Sequence, residues 1–327
     1  MVNLYQDLFP FQELGDALTG WSKDLKWRDD GFSWQTPFGQ SEIYFQPASV
    51  TTLDKLKIVG FVTTKHQLSM EYSNVFTSRS TAIFNRASSL SSIFSGNGKT
   101  GPFVMNRIAI FQGNKDAGNR LYAPLIATEA YMQPTLAVAI ATNRLDQGPA
   151  FFGLGNTDVS PPYTKEEFDA IAQSFRAQGF FANFSSEGMV VEFPWDDDVI
   201  NSMAHHYELI ERDSGAEGRT ILCSLNVREK HPNLGPGLLC TLQLPVNFAE
   251  EEQLVTVVNR LNSFEIQAAD MPPFLGAWCA DFQLNCPTYA AFFPNELCLP
   301  ELPMTVATWM GHRGFRIITA LLHENAD

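Results

Sequence analysis

The sequence predicts an α+β protein of two similar domains, each an antiparallel sheet with helices packed mainly on one face. Three observations carry this prediction. The 327 residues exceed the usual length of one domain. Glycine and proline crowd one stretch: Asp146-Gln147-Gly148-Pro149, then Gly153-Leu154-Gly155-Asn156, then Ser160-Pro161-Pro162. Such punctuation marks a linker and sets domains of 1–155 and 156–327. On either side, helical and alternating apolar periods follow in nearly the same order.

In the first half, Phe11, Leu14, Leu18 and Trp21 recur at helical spacing. A hairpin follows over Leu25–Thr36 and Ser41–Gln46, and Lys55–Thr64 reads as a strand. Ser78–Ile93 reads as a helix facing inward through Ile83, Ala87 and Leu90. Phe103–Gln112 is a strand, and Leu121–Asn143 mixes helix and strand signals.

In the second half, Thr164 and Glu167 form a capping box, Phe168, Ile171, Ala172 and Phe175 make an apolar stripe, and Gly179 is the stop. Phe180–Phe184 and Met189–Phe193 flank a Ser185-Ser186-Glu187-Gly188 turn, a hairpin signature. Asp197–Asp213 reads as a short helix. Strict alternation in Thr220–Val227 and Leu238–Leu244 predicts strands buried on one side. Asn247 is placed to cap a helix bearing Leu254, Val257, Val258 and Leu261. A hairpin over Phe274–Leu284 and Tyr289–Phe293 and a helix from Pro303 to His323, weakened by Gly311 and Gly314, close the chain. Ile83-Phe84-Asn85-Arg86 and Val257-Val258-Asn259-Arg260 sit at the same place in the two orders, which points to an internal duplication.

Hydrophobic residues at 45% fill real cores, and a net charge of −14 argues against nucleic acid or insertion into an anionic membrane. The acidity is uneven. Residues 1–155 hold 13 Lys/Arg and 12 Asp/Glu; residues 156–327 hold 9 and 24. That half suits a basic partner, or serves solubility alone. The first residues show no secretory pattern. Leu121–Ala141, the most apolar stretch, is broken by Pro124, Glu129 and Pro134. Five cysteines, an odd number without a C-x-x-C, fit free thiols in a reducing cytoplasm.

Catalytic signatures are absent from the sequence. Ser95-Gly96-Asn97-Gly98-Lys99-Thr100 ends like a phosphate-binding loop, but Ile93 stands where the leading glycine belongs, so it reads as a plain loop. Asp198, His205 and Glu208 form a polar cluster that is either an acid–base or metal group or the wet side of an amphipathic helix. Cys223 and Cys240 fall on apolar strand faces; Cys279 falls on a polar one beside Asp281. No catalytic, cofactor or metal residue is therefore expected. The aromatic excess offers another kind of site. Trp27, Trp34, Tyr44, Trp278, Tyr289 and Phe293 are candidates for an apolar groove on an open sheet face, unless helices cover both faces.

The second half resembles the bacterial type III secretion chaperone-like family, which includes sensory transduction regulator proteins. The likeness lies in its element order over 164–323. It lies also in Leu244-Pro245-Val246 running into Glu250-Glu251-Glu252 and Val258-Asn259-Arg260-Leu261-Asn262. The resemblance implies acidic α/β domains that dimerise and bind extended segments of other proteins, with two fused copies mimicking such a dimer. The expected function is a non-catalytic, cytoplasmic adaptor or chaperone-like protein, as a monomer mimicking a dimer or as a homodimer. A small-ligand or enzymatic pocket at the domain interface, with polar groups such as His205, Glu208 or His231, is the alternative. A purely structural subunit with a self-complementary apolar patch is a third.

Overall fold

The structure, a computed structural model, describes residues 9–19, 24–53, 56–88, 91–95, 99–111, 122–141, 153–154, 163–195, 209–210, 220–231, 235–268 and 274–323. The fold is α+β, built on two antiparallel sheets. The chain divides into unit 1, residues 1–147 with 265–275, and unit 2, residues 148–264 with 276–327.

Unit 1 runs α1 (Phe11–Thr19), β1 (Lys26–Arg28), β2 (Gly31–Thr36), β3 (Gly39–Leu53), β4 (Leu56–Leu68), α2 (Ser78–Ser88), β5 (Ser92–Phe94), β6 (Phe103–Phe111) and α3 (Ala123–Ala141). Its sheet order is β1-β2-β3-β4-β6-β5. Unit 2 runs β7 (Gly153–Leu154), α4 (Lys165–Ala177), β8 (Phe181–Ser185), β9 (Gly188–Pro194), β10 (Leu209–Ile210), β11 (Thr220–Asn226), β12 (Glu229–His231) and β13 (Gly235–Gln243). It continues through β14 (Asn247–Phe248), α5 (Glu251–Gln267), β15 (Ala277–Asp281), β16 (Cys286–Pro294) and α6 (Leu302–His323). The main path of its sheet is β8-β9-β11-β13-β16-β15. β12 branches from β13 and carries β7, and β10 pairs with β14 apart.

Counted along each path, both sheets therefore read 1-2-3-4-6-5, with a helix before the first strand, between the fourth and fifth, and after the sixth. Three details repeat within this shared topology. Gly31 and Gly188 open the second strands with φ of 159° and 148°. A Cβ there would lie 2.0 Å from the Ile43 carbonyl oxygen and 1.9 Å from that of Leu225. The Phe45 amide donates to the Asp30 carbonyl at 2.7 Å, as the Val227 amide does to Glu187 at 2.9 Å. Finally, the middle helix of each unit sends a buried asparagine to the backbone of the fifth strand. Asn85 accepts from the Ile93 amide at 2.7 Å and donates to its carbonyl at 3.4 Å. Asn262 does the same to Trp278, at 2.8 Å for both bonds.

These contacts correct the sequence alignment. The counterpart of Asn85 is Asn262, not Asn259, so the four-residue match is three positions out of register. On α5 it is Asn262 that faces the sheet, at 1% exposure, while Asn259 is only half-buried.

Other local expectations hold or shift for visible reasons. Thr164 and Glu167 cap α4 reciprocally, and Gly179 ends it at φ 89°. The helix expected over Ser78–Ile93 stops at Ser88, and Ile93 enters β5. Thr81, Ala82 and Asn85 take the inward side of α2, leaving Ile83 exposed. Of the expected Asp197–Asp213 helix, Leu209 and Ile210 form a strand, paired with Phe248 and Asn247; residues 196–208 and 211–213 lie outside the described residues. Asn247 is thus a strand residue, and α5 begins at Glu251. Gly311 and Gly314 let α6 approach the sheet: an added Cβ would lie 2.9 Å from the Phe193 ring and 2.7 Å from Ile221 Cδ1. No described helix is long and apolar enough to cross a membrane.

Candidate functional site

Alternation decides which faces of the unit 2 sheet are closed. Val191, Phe193, Ile221, Cys223, Leu225, Leu238, Cys240, Leu242, Tyr289, Ala291 and Phe293 are buried on the side that α6 covers. Their alternates on β9, β11 and β13, namely Val190, Glu192, Leu222, Ser224, Asn226, Leu239, Thr241 and Gln243, are only half-buried. β15 and β16 are buried on both faces. The sheet is therefore open over its β8 end and closed over its β15 end.

A groove of about 390 Å³ occupies the open end. Phe181, Asn183, Val190, Glu192, Ser224 and Asn226 line it. Phe181 is 60% exposed, the most exposed large apolar side chain described. Its cross-strand partner is Glu192, and Asn183 faces Val190. Among the described residues no Lys or Arg lines the groove. At the rim Glu187 pairs with Arg228 at 2.9 Å, an exposed and hence weak ion pair.

The outer edge of β8 is partly blunted. The Arg176 guanidinium donates to the Ala182 carbonyl at 2.8 Å, and the Phe184 amide donates to Asn183 Oδ1 at 2.9 Å. Filling edge groups this way discourages strand addition, so recognition falls to the face.

The sequence-predicted aromatics mostly lie elsewhere. Trp278, Tyr289 and Phe293 are at most 2% exposed, and Trp34 is 8% exposed. They are core residues, because the strands that bear them are covered on the side they face. Trp27 is half-buried against α1, where Gly15 leaves room for its ring, and lies tilted 5.0 Å from the Phe32 ring. Tyr44 alone lies half-buried on the other face of unit 1, below the Arg28 guanidinium at 5.9 Å. The Asp198, His205 and Glu208 cluster lies outside the described residues. His231 is fully buried on β12, 5.4 Å from the Phe292 ring. Among the described residues no three His, Cys, Asp or Glu side chains converge to hold a metal ion. Phe181 was visible to sequence reasoning only as a strand residue. Its exposure depends on β8 being the terminal strand, which no local pattern encodes.

In unit 1 the end of α5 and the backbone of Phe274 bond to Arg107 on β6. The Phe274 and Arg107 backbones exchange hydrogen bonds of 2.7 and 3.2 Å beside β6. The Arg107 guanidinium stacks on Phe61 at 3.6 Å and donates to the carbonyls of Ile266 and Ala268 at 2.5 and 3.1 Å.

The thiols are quiet. Cys223, Cys240, Cys279 and Cys286 are buried, and Cys298 is half-buried. Burial pushes the Cys223 thiol up to about 12 and raises Cys240 as well. Cys279, expected on a polar face, is buried and donates to the Thr288 carbonyl at 3.0 Å. In native protein at pH 8 a thiol reagent should modify Cys298 first, with Cys223 and Cys240 reacting only after denaturation. Peptide mapping of the labelled protein checks this.

No protein-family model, curated protein or solved structure matches this chain.

Proposed function

We propose that this protein is a non-catalytic, cytoplasmic adaptor or chaperone-like protein that holds an extended, basic segment of a partner protein on the open sheet face of unit 2. The observation that carries the reading is the groove over β8, β9 and β11, with Phe181 exposed beside Glu192. An apolar anchor beside acceptor side chains suits a chain segment bearing apolar and basic residues. Charge supports the choice of partner: unit 2 holds 9 Lys/Arg against 22 Asp/Glu, a net of −13, whereas unit 1 holds 13 against 14. The family resemblance of the element order and the five free cysteines point the same way.

The test is an array of immobilised extended peptides of graded charge, probed with the full chain. Basic peptides carrying an aromatic or aliphatic anchor should bind, lose at least tenfold in affinity to Phe181→Asp, and weaken with salt. Absence of any peptide binding, or binding indifferent to Phe181→Asp and to salt, overturns the reading. Small-molecule retention by the same groove, detected by native mass spectrometry, would move it to ligand binding.

A further inference from the structure

The two units differ at buried positions where their topologies coincide. On the helix-covered side of unit 2, neighbouring positions hold Cys223, Cys240, Leu242 and Ala291. The matching positions of unit 1 hold Ser41, Thr64, His66 and Asn106, all at most 1% exposed. Unit 2 shows that a sheet of this topology does not require polar groups there.

α3 ties itself to this cluster with two residues one turn apart. Ser91 Oγ donates to Glu129 Oε2 at 2.7 Å, and Asn106 on β6 also bonds the Glu129 carboxyl. Gln133 Nε2 donates to Thr64 Oγ1 at 2.7 Å and to Ser91 Oγ at 3.3 Å. Nearby on β4, His66 Nδ1 bonds Ser41 Oγ at 2.8 Å, and its Nε2 has no hydrogen-bond partner among the described residues. Directly after Gln133 comes Pro134, inside the helix. Proline there removes one backbone bond and weakens α3 beside its anchor.

We propose that this polar core is a proton-linked latch: protonated Glu129 keeps α3 seated on the sheet of unit 1, and loss of that proton releases the helix. Among the described residues no cation faces Glu129. From β4 the titratable neighbour is His66. β3 presents Ser41, Ile43 and Phe45, β6 presents Val104, Asn106 and Ile108, and α2 presents Asn85. Lys65, Arg107, Glu42 and Tyr44 project from the opposite face, and Glu13 and Asp16 on α1 are exposed. Tyr122, at the start of α3, is buried and raised to about 12. Burial pushes Glu129 up to about 8, against the lowering effect of its bonds from Ser91 and Asn106, and pushes His66 down to about 4.

The sign follows from these directions. The stability that Glu129 contributes is complete below its unfolded value of 4.5 and is lost as pH rises through about 8. His66 works oppositely: its contribution is present above 6.5 and lost as pH falls through about 4. Between pH 6.5 and 8.5 the glutamate dominates.

Hydrogen exchange of the full chain, corrected for intrinsic rate, tests the latch. Opening of peptides from 123–141 should rise roughly tenfold from pH 6.5 to 8.5, while those from 302–323 stay level. In Glu129→Gln the rise should vanish. Parallel changes in wild type and Glu129→Gln, or in both helices, overturn the proposal. A direct carboxyl NMR titration keeps it testable if the variant does not fold: Glu129 titrating in the ordinary glutamate range also overturns it.

Discussion

Asn262→Leu should destabilise unit 2 by roughly 4 kcal/mol, because it removes two hydrogen bonds to the Trp278 backbone at once. Asn262 accepts from the Trp278 amide and donates to its carbonyl, and both residues are buried. Leucine has similar volume but no polar atoms. Two buried backbone groups then lose these bonds, at about 1–3 kcal/mol each. For a unit of this size the loss lowers the melting temperature by about 10 °C. Thermal unfolding of the full chain measures it, and exchange should accelerate first in peptides covering 277–294. Asn85→Leu should act likewise around Ile93, in unit 1 alone. If Asn262→Leu melts within two degrees of wild type, the asparagine is not the tie that sets α5 against β15.

Gly188→Val should cost at least as much, by a different route. Gly188 sits at φ 148°, which L side chains rarely adopt, and a Cβ would lie 1.9 Å from the Leu225 carbonyl oxygen. That atom is backbone inside a paired strand and cannot swing aside. The β8–β9 turn must then shift, with loss of the Glu187–Val227 bond and of the groove floor. A destabilisation of roughly 4 kcal/mol or more is expected, seen as a lower urea midpoint, together with loss of peptide binding. Gly179→Ala provides the contrast. Its φ is 89°, but nothing lies within 4 Å of the added carbon, so only the conformational cost, on the order of 1 kcal/mol, should appear.

Much of this fold is written locally. The Thr164–Glu167 box, the Gly179 stop, the Ser185–Gly188 turn and the alternation of β11 and β13 each act through neighbours within a few residues, so the sequence alone shows them. The duplicated element order is legible for the same reason. The register of the copies is not: Asn259 and Asn262 are equally good asparagines in a helix, and only packing shows which one meets the sheet. Gly311 and Gly314 likewise look like helix weakeners until Phe193 and Ile221 are seen to need their space.

The sites lie further from the sequence. Whether an aromatic in an alternating strand is core or groove depends on which face a distant helix covers and on which strand ends the sheet. That is why Trp278, Tyr289 and Phe293 are interior and Phe181 is exposed. The cluster around Glu129 gathers residues from β3, β4, β6 and α3, and from Ser91 just ahead of β5, between 41 and 133 in the chain. In sequence Glu129 is merely a charge interrupting an apolar stretch. By itself the sequence determined many of the elements, since periodicity, capping and turn chemistry act over a few residues, but it ran α2 on to Ile93, put Leu209 and Ile210 in a helix and left 121–143 divided between helix and strand. Only the tertiary structure decided which faces are open and which polar groups share a core, because burial is set by contacts between residues far apart in the chain.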